Sequence, residues 1–288
     1  MIIEVLFPEI CNLYGDLGNV DYLKQSLLNA QKKVEVINTS LKDEPYFNKN
    51  KVDLIYMGTT TEKGIELSIK ALSPYKDKLK KLIDDGQFIL LTGNAIDVFG
   101  TYIDSDEASG ESFSKECVEN LTDSKFKVRL KGLDILKTHS EYHMLRRHNS
   151  FYLGEFNSDG DKGIKIVGYK SIFGHTYADD NDGDDTNTEY AQQGWFNTLR
   201  GVGRNEGVVN TRGNVETKPE LLPEGFKVNH LYATYLLGPL LPLNPLLTKW
   251  LLNQLECTDV EPIYYEDAIK AYNDRIADFE NTHLNPVY

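Results

Sequence analysis

One segment limits the fold more than any other: Gln87-Phe88-Ile89-Leu90-Leu91-Thr92 runs straight into Gly93-Asn94-Ala95. So short and apolar a run reads as a buried strand, and the small residues after it read as a tight turn into a helix. The stretch before it repeats the same grammar. Ile2 to Phe7 is an apolar run stopped by Pro8, Lys33 to Ile37 alternates, and Val52 to Met57 ends at Gly58. Between them, Val20 to Lys33 carries Leu23, Leu27 and Leu28 at helical spacing, and Glu62 to Asp85 is helical material divided by Pro74. Strand, helix, strand, helix, strand implies a parallel sheet with crossover helices. The expected class is α/β, doubly wound, with helices flanking a mostly parallel sheet.

Beyond Gly100 the character changes. Asp104 to Thr122 is polar and acidic and reads as a surface loop, while Phe126 to Leu130, Phe151 to Phe156 and Ile164 to Tyr169 read as short extra β segments. Asp179 to Asp185 and Gly194 to Gly213 suit solvated loops. His230 to Leu237 reads as a further strand, Leu246 to Leu255 as a helix, and Tyr264 to Glu280 as an amphipathic helix around Ala268, Ile269, Tyr272, Ile276 and Phe279. No repeat or linker divides the chain. The expectation is one domain over 1–288, with 101–165 and 178–225 as variable insertions or loops and 260–288 as a C-terminal helical segment.

A chain of 288 residues that is 40% hydrophobic and 26% charged has the makings of a proper core. Its net charge of −13 argues against nucleic acid or an anionic membrane as partner, because both are held through Lys and Arg. Cys11, Cys117 and Cys257 are too few and scattered for a disulfide framework or a zinc site. No leader is visible and no stretch reaches the ~18 apolar residues needed to span a bilayer; Leu236 to Leu252 is broken by three prolines and Lys249. The expected location is cytoplasmic, without membrane insertion, and no cofactor is implied.

Ligands of an open parallel sheet gather at the carboxyl ends of its strands. Three loops begin there: Asn12–Asn19, Gly58–Gly64 and Gly93–Gly100. The third has the layout of a nucleophile elbow, although a plain strand-to-helix turn also needs small residues. Here a family resemblance enters. Tyr14-Gly15-Asp16-Leu17-Gly18-Asn19 resembles the N-terminal motif of the glutamine amidotransferase subunit of lipid II isoglutaminyl synthase, in the cobyric-acid-synthase-like branch of class I amidotransferases. The similarity continues in order through Asp53 to Gly58, Asp85-Gly86 to Gly100 and Gly132-Leu133-Asp134-Ile135-Leu136. It runs on through Gly168 to Gly174 with Thr176-Tyr177, Thr234-Tyr235-Leu236-Leu237-Gly238-Pro239 and Tyr265-Glu266-Asp267. The fold it implies is class I glutamine amidotransferase-like, that is, flavodoxin-like with extra β segments.

The family reaction needs a Cys thiolate, a His beside it and backbone N–H groups for the oxyanion. The chain departs from that pattern at both side chains. The family elbow reads Cys-Gly-Gly-Tyr-Gln-x-x-Gly, which places Gly93 at the Cys and Asn94 at the next position; the His of Thr-Tyr-Leu-His-Gly is Leu237. The Gly-Gly-Gly oxyanion loop reads Gly58-Thr59-Thr60, and in the Gly-Phe-Glu-Asn-His-x-Gly-Arg-Thr motif the Glu is Lys170, the His is Ile172 and the Arg is His175. Glycine has no side chain to attack with, and leucine carries no proton. The residues expected to line the former pocket are Gly58, Thr59, Thr60, Asn94, Ala95, Asp97, Ile172 and His175, with Gly93 and Leu237 as the altered catalytic positions.

Three readings follow. The first is a homologue without glutaminase activity that serves as a binding or scaffolding subunit of a Mur-ligase-like partner in peptidoglycan precursor amidation; the resemblance implies this context. The second is an enzyme with new chemistry in the old pocket, drawing on Cys11, Asn94, Asp97 or His175. The third is a working amidotransferase with an unrecognised nucleophile. Cys11 is the candidate by position at the end of the first strand, with a small buried apolar residue as the plainer reading. His175 reads more simply as a solvated loop histidine. His139 and His143, four apart and near His148, would share a helix face but lack a carboxylate to complete a metal site, so a surface segment is preferred. Arg146-Arg147 beside them would suit an anionic ligand or a partner. Asp180-x-Asp182-Gly183 with Glu189 matches part of a calcium loop, but Ala178 stands at its first position, and a solvated acidic loop is the default.

Overall fold

The structure, a computed structural model, describes all residues except 107–110, 123–124, 157–162, 180–193, 205–207, 210–222 and 286–288. In chain order the first half supplies β1 (Ile2–Leu6), α1 (Leu17–Asn29), β2 (Glu35–Thr39), β3 (Leu54–Met57), α2 (Glu62–Leu72), α3 (Lys76–Asp84), β4 (Phe88–Thr92) and α4 (Ala95–Phe99). Then come β5 (Tyr102–Ser105), β6 (Val118–Asn120), β7 (Val128–Lys131), β8 (Thr138–Tyr142), β9 (His148–Phe156), β10 (Ile164–Ile172) and β11 (Gly174–Ala178). The chain ends with β12 (Asn197–Val202), β13 (Val208–Val209), β14 (Phe226–Val228), β15 (Leu231–Thr234), α5 (Leu240–Leu243), α6 (Pro245–Gln254) and α7 (Tyr265–Glu280).

The main sheet has the order β14-β15-β4-β3-β1-β2, parallel from β15 through β2 with β14 antiparallel at the edge. Counting β15 as the fifth parallel strand, that is the 2-1-3-4-5 order of flavodoxin-like folds. The expected α/β class therefore holds. Alternation along each strand separates two cores. Ile3, Val5, Leu54, Tyr56 and Leu90 face α1 and α6. Leu6, Ile55, Met57, Ile89 and Leu91 face α2 and α3. Pro74 divides the second helical stretch as expected, sitting in a 3-10 turn at Ser73–Tyr75.

Two further sheets pack against this one, the first at its carboxyl end and the second at its β14–β15 edge. β11-β8-β5-β7-β6 form one, and β10-β9-β12-β13 the other. They overturn two loop expectations. Asp104 and Ser105 end β5, the middle strand of its sheet, where Arg129 grips Asp104 through Nε at 2.6 Å and Nη2 at 2.7 Å. The Gly194 to Gly213 stretch contains β12, and its Arg200 and Arg204 are buried. Gly/Asn/Arg composition signals exposure only until a guanidinium finds enclosed acceptors. Arg200 finds them at the end of α7, donating to the carbonyls of Phe279, of Asn281 at 3.0 Å and of Leu284 at 2.6 Å. These are orphan acceptors of a helix C-terminus and the turn beyond it.

Lys170 carries the costliest burial. Its ammonium is completely enclosed on β10, where it donates to Glu224 and to the Gly203 carbonyl at 2.6 Å. Glu224 in turn accepts from Thr234 Oγ1 at 2.9 Å and the Tyr235 amide at 2.7 Å. Burial pushes the Lys170 ammonium below its ordinary range, and Glu224 pulls it back. The pair bolts the third sheet to the edge of the first. Lys170→Met, which strands Glu224, should lower stability by about 3–5 kcal/mol. Adding Glu224→Gln keeps both acceptor contacts and should recover a large part, readable as shifts in denaturant midpoint.

Candidate functional site

A cleft of about 130 Å³ lies beyond the carboxyl ends of the parallel strands. The loops after β1, β3 and β4, with the first residues of the helices that follow, supply Leu13 and Tyr14, Thr59 to Glu62, and Gly93, Asn94 and Asp97. Tyr235 and Leu237 follow β15, and the added sheets close the far side with Tyr142, Arg147, Ile172 and Phe173. This is the place an open α/β sheet gives a ligand.

Asp16 organises the near side. Fully buried, it accepts from Thr59 Oγ1 at 2.9 Å, Thr92 Oγ1 at 3.0 Å and the Tyr14 amide at 3.1 Å. Its own carbonyl takes the Tyr56 hydroxyl at 2.9 Å. The loop carrying it lies so close that a Cβ on Gly58 would stand 2.5 Å from the Cys11 carbonyl and from Asp16 Cβ. Gly58 is thus a packing glycine beneath the cleft rather than a lining residue.

Gly93 takes φ +60°, the left-handed region that glycine enters freely, directly between β4 and α4. The elbow shape expected from the sequence is therefore present. The space above it is not free: a Cβ on Gly93 would lie 2.7 Å from both Cβ and Cγ2 of Thr59, and nearer still to Oγ1. Asn94, at the start of α4, has its carboxamide turned to the neighbouring loop. Oδ1 accepts from the Thr60 amide at 2.9 Å and Nδ2 donates to the Thr60 carbonyl at 2.8 Å. An asparagine in this position ordinarily caps its own helix; here that role is left unfilled and the side chain clamps the Gly58–Thr60 loop.

Asp97 forms the floor. Its carboxylate is buried on α4 and takes hydroxyl donors from Ser140 at 2.6 Å, Tyr142, Tyr235 and, at 3.5 Å, Thr176. Burial raises the Asp97 carboxyl and the hydroxyl donors oppose the rise. The same enclosure pushes both tyrosine hydroxyls well above their ordinary range. Four hydroxyls converging on a carboxylate make a rigid polar floor.

Of the residues expected in the pocket, Thr59, Thr60, Asn94, Asp97 and Ile172 line the cleft, together with Gly93 and Leu237. Ala95 is buried within α4 and does not reach it. His175 is a correction: it is a buried residue of β11, its ring edge-on to His148 at 5.1 Å, because that segment pairs with β8 instead of looping into solvent. Cys11 is another. It lies outside the cleft among core residues, 3.9 Å from Ser68 Oγ, and burial pushes its thiol up to about 12. His139 and His143 belong to β8 and its end, not to a helix. His139 Nδ1 lies 2.6 Å from Asp179, and His143 lies 3.5 Å from Asp106. Among the described residues no group of three or more His, Cys, Asp or Glu is placed to hold a metal ion. Asp180, Asp182 and Glu189 lie outside the described residues.

Sequence reading missed Tyr14, Tyr142, Arg147, Phe173 and Tyr235 as lining residues. Tyr14, Phe173 and Tyr235 sat inside motifs already singled out, and Arg147 in a pair already noted, but nothing local marks Tyr142.

Comparison with known proteins supports the resemblance drawn from the motifs. The chain is 28% identical over 244 residues to the glutamine-hydrolysing lipid II isoglutaminyl synthase subunit GatD of Staphylococcus aureus (strain N315), covering 84% of this chain and 79% of that one. No family model matches. Among solved structures, a glutamine amidotransferase aligns at TM-score 0.43 and 12% identity over 89% of this chain and 100% of its own. One from Thermotoga maritima aligns at 0.41 and 8% over 98% and 96%. The fold assignment rests on the strand order and pairings above, not on these distant alignments.

The contact between Thr59 and Gly93 is testable by coupling. Gly93→Ala should cost about 2–4 kcal/mol, from left-handed strain plus the clash with Thr59. Thr59→Gly in the same chain should relieve the steric part, so the double variant should be more stable than the sum of the singles implies. Additive losses in equilibrium unfolding would show that Thr59 does not fill that space.

Proposed function

We propose that this chain is a homologue of the glutaminase subunit of lipid II isoglutaminyl synthase that does not hydrolyse glutamine and acts as a binding or scaffolding subunit beside a Mur-ligase-like partner. In this reading the whole chain works as one domain in the cytoplasm, in the context of peptidoglycan precursor amidation. The observation that carries it is the filled space over Gly93. A nucleophile on an elbow must project into the cleft, and here the Thr59 side chain occupies that direction. The surroundings agree. Leu237 offers an apolar wall with no proton to move, and the Thr60 amide is taken by Asn94. Among the described residues no helix is long and apolar enough to cross a membrane.

An enzyme of altered chemistry is the second reading, favoured by the cleft remaining open with Asp97 on its floor. Against it, the Asp97 carboxylate is already occupied by hydroxyl donors and Asn94 by Thr60. A replacement nucleophile at Cys11 would have to work from a buried thiol that stays protonated at neutral pH.

The purified chain should release no ammonia from glutamine above background, even at high protein concentration, and should co-purify with a ligase-type subunit when the two are expressed together. Glutamine hydrolysis that disappears in Cys11→Ala would overturn the proposal.

A further inference from the structure

The rim of the cleft carries a surface that the floor does not explain. On the far side, the turn from β8 to β9 displays Leu145, 87% exposed, followed by exposed Arg146 and Arg147. The turn is held firmly. The His143 amide donates to the Phe173 carbonyl at 2.8 Å, the Arg146 amide donates to the His143 carbonyl at 2.8 Å, and the Arg147 guanidinium lies 4.9 Å over the Phe173 ring. On the near side, the uncharged loop from Asn12 to Gly15 exposes Leu13 by 51% and Tyr14 by 38%. It is tied down by the Leu13 amide to the Thr59 carbonyl at 3.1 Å and by Tyr14 to Asp16. Between the two rims the apolar walls Ile172 and Leu237 lead inward.

Charge gives this mouth a polarity. The chain bears −13 overall, so its field repels acidic molecules almost everywhere. At the mouth, neither Arg146 nor Arg147 forms an ion pair with a described residue, and Glu62 is the lining carboxylate besides buried Asp97. Arg147 makes a neutral contact instead, to Ser171 Oγ at 3.3 Å. The result is a cationic and apolar mouth on an acidic body. A small ligand confined to about 130 Å³ would touch Leu13 from inside the cleft and leave Leu145 in water. Exposed apolar groups around an indentation, with arginines beside them, are the anatomy of a protein contact.

We infer that the cleft mouth is a docking surface for an acidic segment of a second protein. That segment places one aliphatic or aromatic side chain between Leu13 and Phe173 and sets its carboxylates against Arg146 and Arg147. The inference rests on the proposed role as a binding subunit and specifies where its partner sits. Both rims are fixed by backbone hydrogen bonds, so docking orders little of this chain. The acidic body as a whole repels such a partner, which favours approach at the cationic mouth.

The test uses the full chain and labelled synthetic peptides in fluorescence anisotropy: a glutamate-rich peptide with one central phenylalanine, its lysine counterpart, and the glutamate peptide with serine at the centre. The first should bind, weakening as salt rises; the lysine peptide should not bind, and the serine peptide should be weaker by on the order of tenfold. Arg146→Glu with Arg147→Glu should weaken the first peptide by at least about tenfold, and Leu13→Ser and Leu145→Ser should each weaken it; unfolding midpoints should shift only slightly, since all four side chains are exposed and Arg147 loses just its surface contacts to Phe173 and Ser171. The inference is overturned by no binding of the glutamate–phenylalanine peptide at millimolar concentration, by equal binding of the lysine peptide, or by indifference to the charge reversal. A concentration-dependent dimer abolished by the same variants would also overturn it, since the occupant would then be a second copy. A Mur-ligase-like subunit that binds the original chain and the charge-reversed chain equally overturns this surface alone. Ammonia release from glutamine by the unaltered chain overturns the proposed function alone.

Discussion

The buried carboxylate of Asp97 sets the arrangement of everything around the cleft. A carboxylate taken out of water destabilises the fold unless donors replace its hydration. α4 alone has none to offer, and the donors come from β8, β11 and the segment after β15. Meeting that demand draws the five-stranded sheet against the carboxyl end of the parallel one, and this contact turns the end of an open sheet into a walled cleft. The second anchor, Lys170 with Glu224, acts at the sheet edge by the same logic, because each charge is tolerable only where the other stands. Both anchors join segments far apart in the chain.

On the near side the determining constraint is steric. Gly93 adopts the left-handed turn that an elbow requires, yet the side chain of Thr59 stands where a residue there would project. Thr59 is held in that place by Asp16, which also receives Thr92 and Tyr14. Asn94 clamps the adjoining Thr60 backbone from the other side. The loop after β3, the turn after β4 and the loop after β1 are therefore one interlocked unit. A change at Gly93 alone cannot be separated from the identity of residue 59, because the Thr59 side chain stands where a Cβ at 93 would go.

Legibility in the sequence followed the range of the interactions. β1, β3, β4, α1 and the division of α2 from α3 at Pro74 were readable because burial periodicity and proline act locally. The cleft's location was readable too, since it follows from strand polarity. Errors began where a residue's environment is supplied from afar. Asp104 looked like loop acid until Arg129 is seen beside it, and Arg200 looked solvated until the end of α7 supplies its acceptors. His175 looked exposed because its flanking residues carry no strong strand pattern; pairing with β8 buries it. Cys11 looked well placed on strand position alone, and the turn after β1 carries it into the core instead.

The sequence by itself determined the doubly wound half of the protein, the glycine turn after β4 and the identities of Gly93 and Leu237, which carry neither a nucleophile nor a proton. These are properties of residue identity and short-range pattern. Only the tertiary structure decided what fills the space over Gly93, which hydroxyls serve Asp97, and that two arginines and several exposed apolar side chains share one rim. Those outcomes depend on contacts between residues tens to more than a hundred positions apart, and no local pattern encodes which distant side chain arrives to complete a buried charge or occupy an open turn.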